Sequence, residues 1–124
     1  MQITPSNNDS QLSAQAAILI CGMHRSGTSA LARILRSCGA WLGDEDDFLP
    51  PHAQDNPEGY WERRDVYDAQ VEFLTALGFD WDSLAGLSPS LFDGLHARRL
   101  RSHLTRIIKR LSGRSPWLLK DPRL

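Results

Sequence analysis

"AAILICGMHRSGTSALARILRSCG", residues 16–39, joins three local patterns that together decide the fold. Residues 16–22 form a continuous apolar run rich in aliphatic side chains. Such a run suits a strand buried on both faces, as in a parallel sheet covered by helices. Next comes a tight loop with Gly22 and Gly27 separated by four residues, followed by the hydroxyl residues Thr28 and Ser29. Leu31, Ile34, Leu35 and Cys38 then recur at helical spacing, and Gly39 supplies a stop. A loop between a strand end and a helix start presents backbone amides and the positive end of the helix dipole, a combination suited to an anion. Ser26, Thr28 and Ser29 offer hydroxyl donors and Arg25 a charged fork. The plainer reading of the same residues makes Gly27 a turn and Thr28 a helix cap.

The remaining chain reads as helices leading to a second strand. Residues 40–60 are a loop punctuated by Gly43, Pro50, Pro51, Pro57 and Gly59, long enough to suggest function. A second helix is expected from Glu62 to Leu77, with Val66, Ala69, Phe73, Leu74 and Leu77 on one face and Gly78 closing it. A third is expected from Ser90 to Ser112, with Leu100, Leu104, Ile107, Ile108 and Leu111 as its apolar stripe. "PWLLK", residues 116–120, reads as a second buried strand leading into "DPRL". Strand, three helices and strand fit a crossover between parallel strands, with ligands bound beyond the strands' carboxyl ends. Both "GMHRSGTS" and "KDPRL" fall there.

Composition bounds the options without choosing among them. The 124 residues suit one domain, taken as a leader over 1–15 and an α/β domain over 16–124. Hydrophobic content of 41%, charged content of 23% and a net charge of −1 give no argument for nucleic acid or membrane. The first 15 residues lack a basic n-region, so they are not read as a signal peptide, and the run 16–21 is too short to span a bilayer. Cys21 and Cys38 show no disulfide framework or metal spacing and are expected to be core residues in a reducing, cytoplasmic setting. His24, His52, His96 and His103 are too scattered to suggest zinc. The acids 44–47 and the bases Arg98, Arg99, Arg101, Arg106, Lys109, Arg110 and Arg114 are read as solvated surfaces.

The glycine spacing matches the nucleotide-hydrolysing pattern G-x-x-x-x-G-K-[ST], but Thr28 stands where the lysine belongs. That lysine reaches the β- and γ-phosphates in phosphoryl transfer, so its loss weakens a kinase or NTPase reading. A shorter anion, a 5′-phosphate carrying one further group, fits better.

Three motifs in order then resemble the sulfotransferase family: "HRSGTSAL" (24–31), "GDEDDFLPPHAQDNPEGYWE" (43–62) and "WLLKDPRL" (117–124). The first is similar to the phosphosulfate-binding loop of that family, and the set resembles bacterial sulfotransferase-family proteins over roughly residues 17–124. The resemblance implies a P-loop-like three-layer α/β fold with a parallel sheet. It also implies transfer of a sulfuryl group from 3′-phosphoadenosine-5′-phosphosulfate (PAPS), without metal, to a hydroxyl or amine. By position Arg25, Ser26, Gly27, Thr28 and Ser29 match the donor-binding residues, Glu62 the general base, and Lys120 the strand-end lysine that contacts the bridging oxygen or the substrate.

Alternatives stand beside each assignment. Glu62 also reads as a first-turn helix acid, Glu58 and His52 are alternative bases, and Lys120 also reads as a solvated strand end. Asn56 orients substrate or starts a turn; Asp121 and Arg123 position substrate, pair together, or pair with Arg25. Trp41, Trp61 and Trp81 line an acceptor pocket or anchor the core. The acceptor is open among small molecule, carbohydrate, lipid and peptide. The family pattern continues past "KDPRL" with a 3′-phosphate motif, so the resemblance implies an incomplete sheet, impaired activity and a tendency to self-associate. A P-loop kinase or NTPase and a non-catalytic α/β interaction fragment are the competing functions.

Overall fold

The computed structural model describes residues 16–80, 82–83 and 86–123. The leader expected over 1–15 and the role considered for Trp81 lie outside the described residues. Strand β1 (Ala17–Ile20) pairs in parallel with β2 (Trp117–Lys120), in the register Ala17 to Trp117 through Ile20 to Lys120. Between them run α1 (Thr28–Ser37), α2 (Arg64–Ala76) and α3 (Leu95–Leu111). The chain is therefore mixed α/β with a parallel sheet, the class that the alternation of its patterns predicts.

Alternation along the strands divides the core into two clusters. Ile18, Ile20 and Leu118 meet Ala32 and Leu35 of α1, together with Ala40 and Leu42. Trp117 and Leu119 meet Val66 of α2 and Leu104, Ile107 and Leu111 of α3. The far side of β2 is closed by the loop: the Trp41 amide donates to the Pro116 carbonyl at 2.8 Å, and the Leu118 amide to the Trp41 carbonyl at 2.7 Å. β2 is thus buried along its whole length.

β1 is not buried on both faces as its apolar run suggests. Leu19 is 57% exposed while its register partner Leu119 is 4% exposed. Helices α2 and α3 pack beneath β2, and the outer edge of β1 has no strand partner among the described residues. The α1 stripe is also rotated from expectation. Fully buried Ala32 meets the sheet, with Leu35 beside it, whereas Leu31, Ile34 and Cys38 face outward. A side chain as small as alanine lets the helix backbone approach the strands closely.

Other boundaries shift for local reasons. Helix α1 ends with the Gly39 amide donating to Arg36 and the Ala40 amide to Leu35; Gly78 and Phe79 close α2 in the same way. α2 starts at Arg64, so Glu62 precedes the helix and is not a first-turn acid. Its buried face is Val66, Ala69 and Phe73 as expected, with Gln70 added. The expected helix from Ser90 splits at Gly94 into a 3-10 turn (Pro89–Asp93) and α3. Both cysteines are exposed, contrary to expectation: Cys21 lies beyond the last strand pair and Cys38 at the end of α1. The basic face of α3 is solvated as expected, with Arg99 near Glu72 and Arg110 near Asp65.

The acidic run departs from a simple solvated loop. Asp47 accepts from the Asp44 amide and from Arg63 Nη1 at 3.0 Å. Arg63 is buried and also grips Asp65 through Nε and Nη2 while donating to the Leu42 carbonyl. Burial opposes its charge, but the contacts with Asp65 and Asp47 outweigh that cost and raise its pKa. Gly43 leaves space for this clamp: a Cβ there would sit 2.3 Å from Arg63 Nη1, and its φ of +120° disfavours side chains.

Candidate active site

A cleft of about 860 Å³ opens at the carboxyl end of the sheet, between the loop after β1, helix α1 and the segment 55–62. Its position follows from the crossover: β1 and β2 end side by side at Ile20 and Lys120, so both following segments emerge at one edge. Arg25, Gly27, Thr28 and Ser29 line one wall, and Glu62 and Lys120 line the cleft with them. Sequence positions 25, 27–29, 62 and 120 are thus gathered in one place, while Ser26 belongs to the same loop but not to the lining of the cleft.

The loop folds through two left-handed backbones, Arg25 at φ +64° and Gly27 at φ +86°. The Ser26 hydroxyl donates to the Met23 carbonyl at 2.6 Å, and its amide donates to the same oxygen at 3.3 Å. Gly22 sits close beneath: a Cβ there would lie 3.1 Å from Thr28 Cγ2. Gly27 is the N-cap of α1, and Thr28 is its first residue, so the expectation that Thr28 caps the helix does not hold. No side chain caps this end and no acid occupies the first turn, which leaves the positive end of the dipole uncompensated from within α1.

Segment 52–60 packs against this loop. Arg25 Nη1 donates to Asp55 Oδ1, and the Tyr60 hydroxyl donates to Asp55 Oδ2 at 2.9 Å. The Tyr60 phenol pKa is raised, first by that hydrogen bond and then by burial and the Asp55 charge. Ser29 Oγ donates to the Tyr60 carbonyl at 3.1 Å and accepts from Asn56 Nδ2 at 3.3 Å. Asn56 therefore both closes its turn, through backbone bonds with His52, and faces the cleft. Glu58 lines the cleft, exposed and paired with Arg33, whereas His52, whose Nδ1 accepts the Asp55 amide, lies outside the lining. Trp61 lines the cleft while packing edge-on to Phe48, and Trp41 lies under Arg114.

The floor is a buried charge cluster. Lys120 Nζ contacts Glu62 Oε1 at 2.6 Å and donates to the Tyr60 carbonyl at 3.2 Å. Arg123 Nη2 contacts Glu62 Oε2 at 2.7 Å and Asp121 Oδ2 at 2.8 Å, and its Nε donates to Gln70 at 3.1 Å. None of these four charged side chains is more than 6% exposed. Lys120 is thus not a solvated strand end. Asp121 and Arg123 pair with each other and not with Arg25. Burial raises the Asp121 pKa, with the bonds from Arg123 offsetting part of the rise. For Arg123, burial opposes the charge, but Asp121 and Glu62 outweigh it and raise the pKa.

Two cations thus hold the two oxygens of Glu62, so acting as a proton acceptor requires one pair to open. Sequence reading missed four pairings here: Lys120 and Arg123 with Glu62, Asp55 with Arg25, and Gln70 with Arg123. None has a periodic signature, and only the pairing of Asp121 with Arg123 was open to inference from their closeness in the chain. Among the described residues no group of three or more His, Cys, Asp or Glu side chains is placed to hold a metal ion. No helix there is long and apolar enough to cross a membrane. Searches against protein-family models, curated proteins and solved structures find no match to this chain.

Proposed function

We propose that the loop from Gly22 to Ser29 is an anion cradle and that the chain is a sulfotransferase using PAPS as donor. The observation that carries this reading is the uncapped start of α1, set beside Arg25 in the same cleft as Glu62 and Lys120. The motif resemblance, not the geometry, selects sulfate over other anions. The core clusters on opposite faces of the sheet support a P-loop-like three-layer arrangement.

In this reading Arg25, Ser26, Gly27, Thr28 and Ser29 hold the 5′-phosphosulfate, which supplies an electrophilic sulfur on a good leaving group. The acceptor oxygen or nitrogen attacks sulfur in line as the bond from sulfur to the bridging oxygen breaks. Negative charge grows on the leaving phosphate, where cradle amides and the Lys120 ammonium stabilise it. As Lys120 turns from Glu62 Oε1 toward that oxygen, Glu62 is freed to take the acceptor's proton. The acceptor is a small molecule, carbohydrate or lipid.

The test is a titration of ¹⁵N-labelled protein with adenosine 3′,5′-bisphosphate, followed by calorimetry. Saturable shifts at the amides of residues 25–30 are expected, with no requirement for magnesium. Binding of ATP only with magnesium would favour a phosphoryl-transfer enzyme. Absence of shifts with either nucleotide at millimolar concentration would reject the cradle and leave a non-catalytic interaction fragment.

A further inference from the structure

We infer that Asp55 is a specificity-determining residue of the cradle: it occupies the Arg25 guanidinium with its own carboxylate, so an incoming anion must outcompete it. This rests on the reading of the loop as an anion cradle. The pair lies at the mouth of the cleft, with the Arg25 and Asp55 side chains 74% and 48% exposed, so neither is locked away from a ligand. Asp55 is presented by the turn in which His52 and Asn56 exchange backbone hydrogen bonds of 3.2 and 2.8 Å. Its amide is tied to His52 Nδ1, and its second oxygen accepts the Tyr60 hydroxyl.

The carboxylate therefore reaches Arg25 from a built turn and keeps a partner, Tyr60, after Arg25 leaves. The same segment also holds Ser29, through the Tyr60 carbonyl and the Asn56 amide. Two donors of the cradle thus already have acceptors that a ligand oxygen would replace. A planar carboxylate offers a guanidinium the same kind of charged acceptor as a phosphate or sulfate face. A monovalent carboxylate ligand gains little by replacing Asp55. A group with more charge and more oxygens gains more, because the cradle amides act on it as well. The device selects phosphoesters and bisphosphates over carboxylates.

Calorimetry with adenosine 3′,5′-bisphosphate tests this on the wild type, Asp55→Asn, Arg25→Gln and the double variant. Asp55→Asn is expected to bind about 2- to 5-fold more tightly, the scale of an exposed ion pair. Arg25→Gln should bind more weakly, and adding Asp55→Asn to it should then give no gain. An equal gain with and without Arg25 would mean that Asp55 acts only by through-space repulsion; that overturns this proposal and leaves the cradle standing. No binding by any of the four chains overturns the cradle and this proposal together. The pairing has a second readout in a Tyr67→Phe background, where Tyr60 is the remaining tyrosine. Arg25 lowers the Tyr60 pKa and Asp55 raises it, so Arg25→Gln should move the phenol titration upward. An unmoved titration would show that Arg25 is not held at Asp55 and would overturn the proposal.

Discussion

Replacing Glu62 with glutamine keeps the shape of the side chain and removes the charge that holds two buried cations. Lys120 Nζ and Arg123 Nη2 contact the two oxygens at 2.6 and 2.7 Å, in surroundings that exclude nearly all solvent. A glutamine oxygen can accept from one cation, but its amide group then points N–H donors at the other. Removing one partner of a buried, hydrogen-bonded ion pair costs about 3–5 kcal/mol, mostly because the remaining charge has lost its compensation. A domain of this size has about 5–15 kcal/mol in total, so the loss is a large fraction of its stability. With a urea m-value of about 1.5 kcal/mol per molar, a loss of about 3 kcal/mol moves the midpoint down by about 2 M. Urea unfolding followed by tryptophan fluorescence measures it. The double variant Glu62→Gln with Lys120→Met removes one of the stranded cations and should recover at least about 1 kcal/mol, within the range of coupling between contacting residues. A single variant within about 1 kcal/mol of wild type, or a double variant with no recovery, would refute the argument that these charges depend on Glu62.

Two further predictions concern parts of the fold away from the cluster. Gly43→Ala should destabilise by about 1–3 kcal/mol from its backbone conformation alone, with more lost because the new methyl meets Arg63 Nη1 at 2.3 Å; a thermal melt within error of wild type would contradict the clamp described for Arg63. Cys21 and Cys38 are both exposed, so the native protein should release two equivalents of thionitrobenzoate with Ellman's reagent without added denaturant. A thiol that reacts only after unfolding would show that one of them is buried after all.

The amino-acid sequence by itself determined the local patterns: an aliphatic run, a glycine-bounded loop, amphipathic segments with glycine stops, and a second apolar run ending in Lys120. These are legible because strand and helix periodicities and the backbone needs of turns are properties of a few adjacent residues. The parallel pairing of Ile20 with Lys120, which gathers the loop and the strand end at one edge, follows the same order of elements. Tertiary structure decided which apolar residues are inside where the strand and α1 patterns misled. Leu19 and Leu119 share a register position but not an environment, because α2 and α3 cover β2 and leave that face of β1 open. It also decided the partners of the charges. Glu62 meets Lys120 and Arg123 across 58 and 61 residues of chain, and Arg25 meets Asp55 across 30. Such pairs leave no periodic trace, since electrostatic attraction depends on distance in space and burial, not on spacing along the backbone.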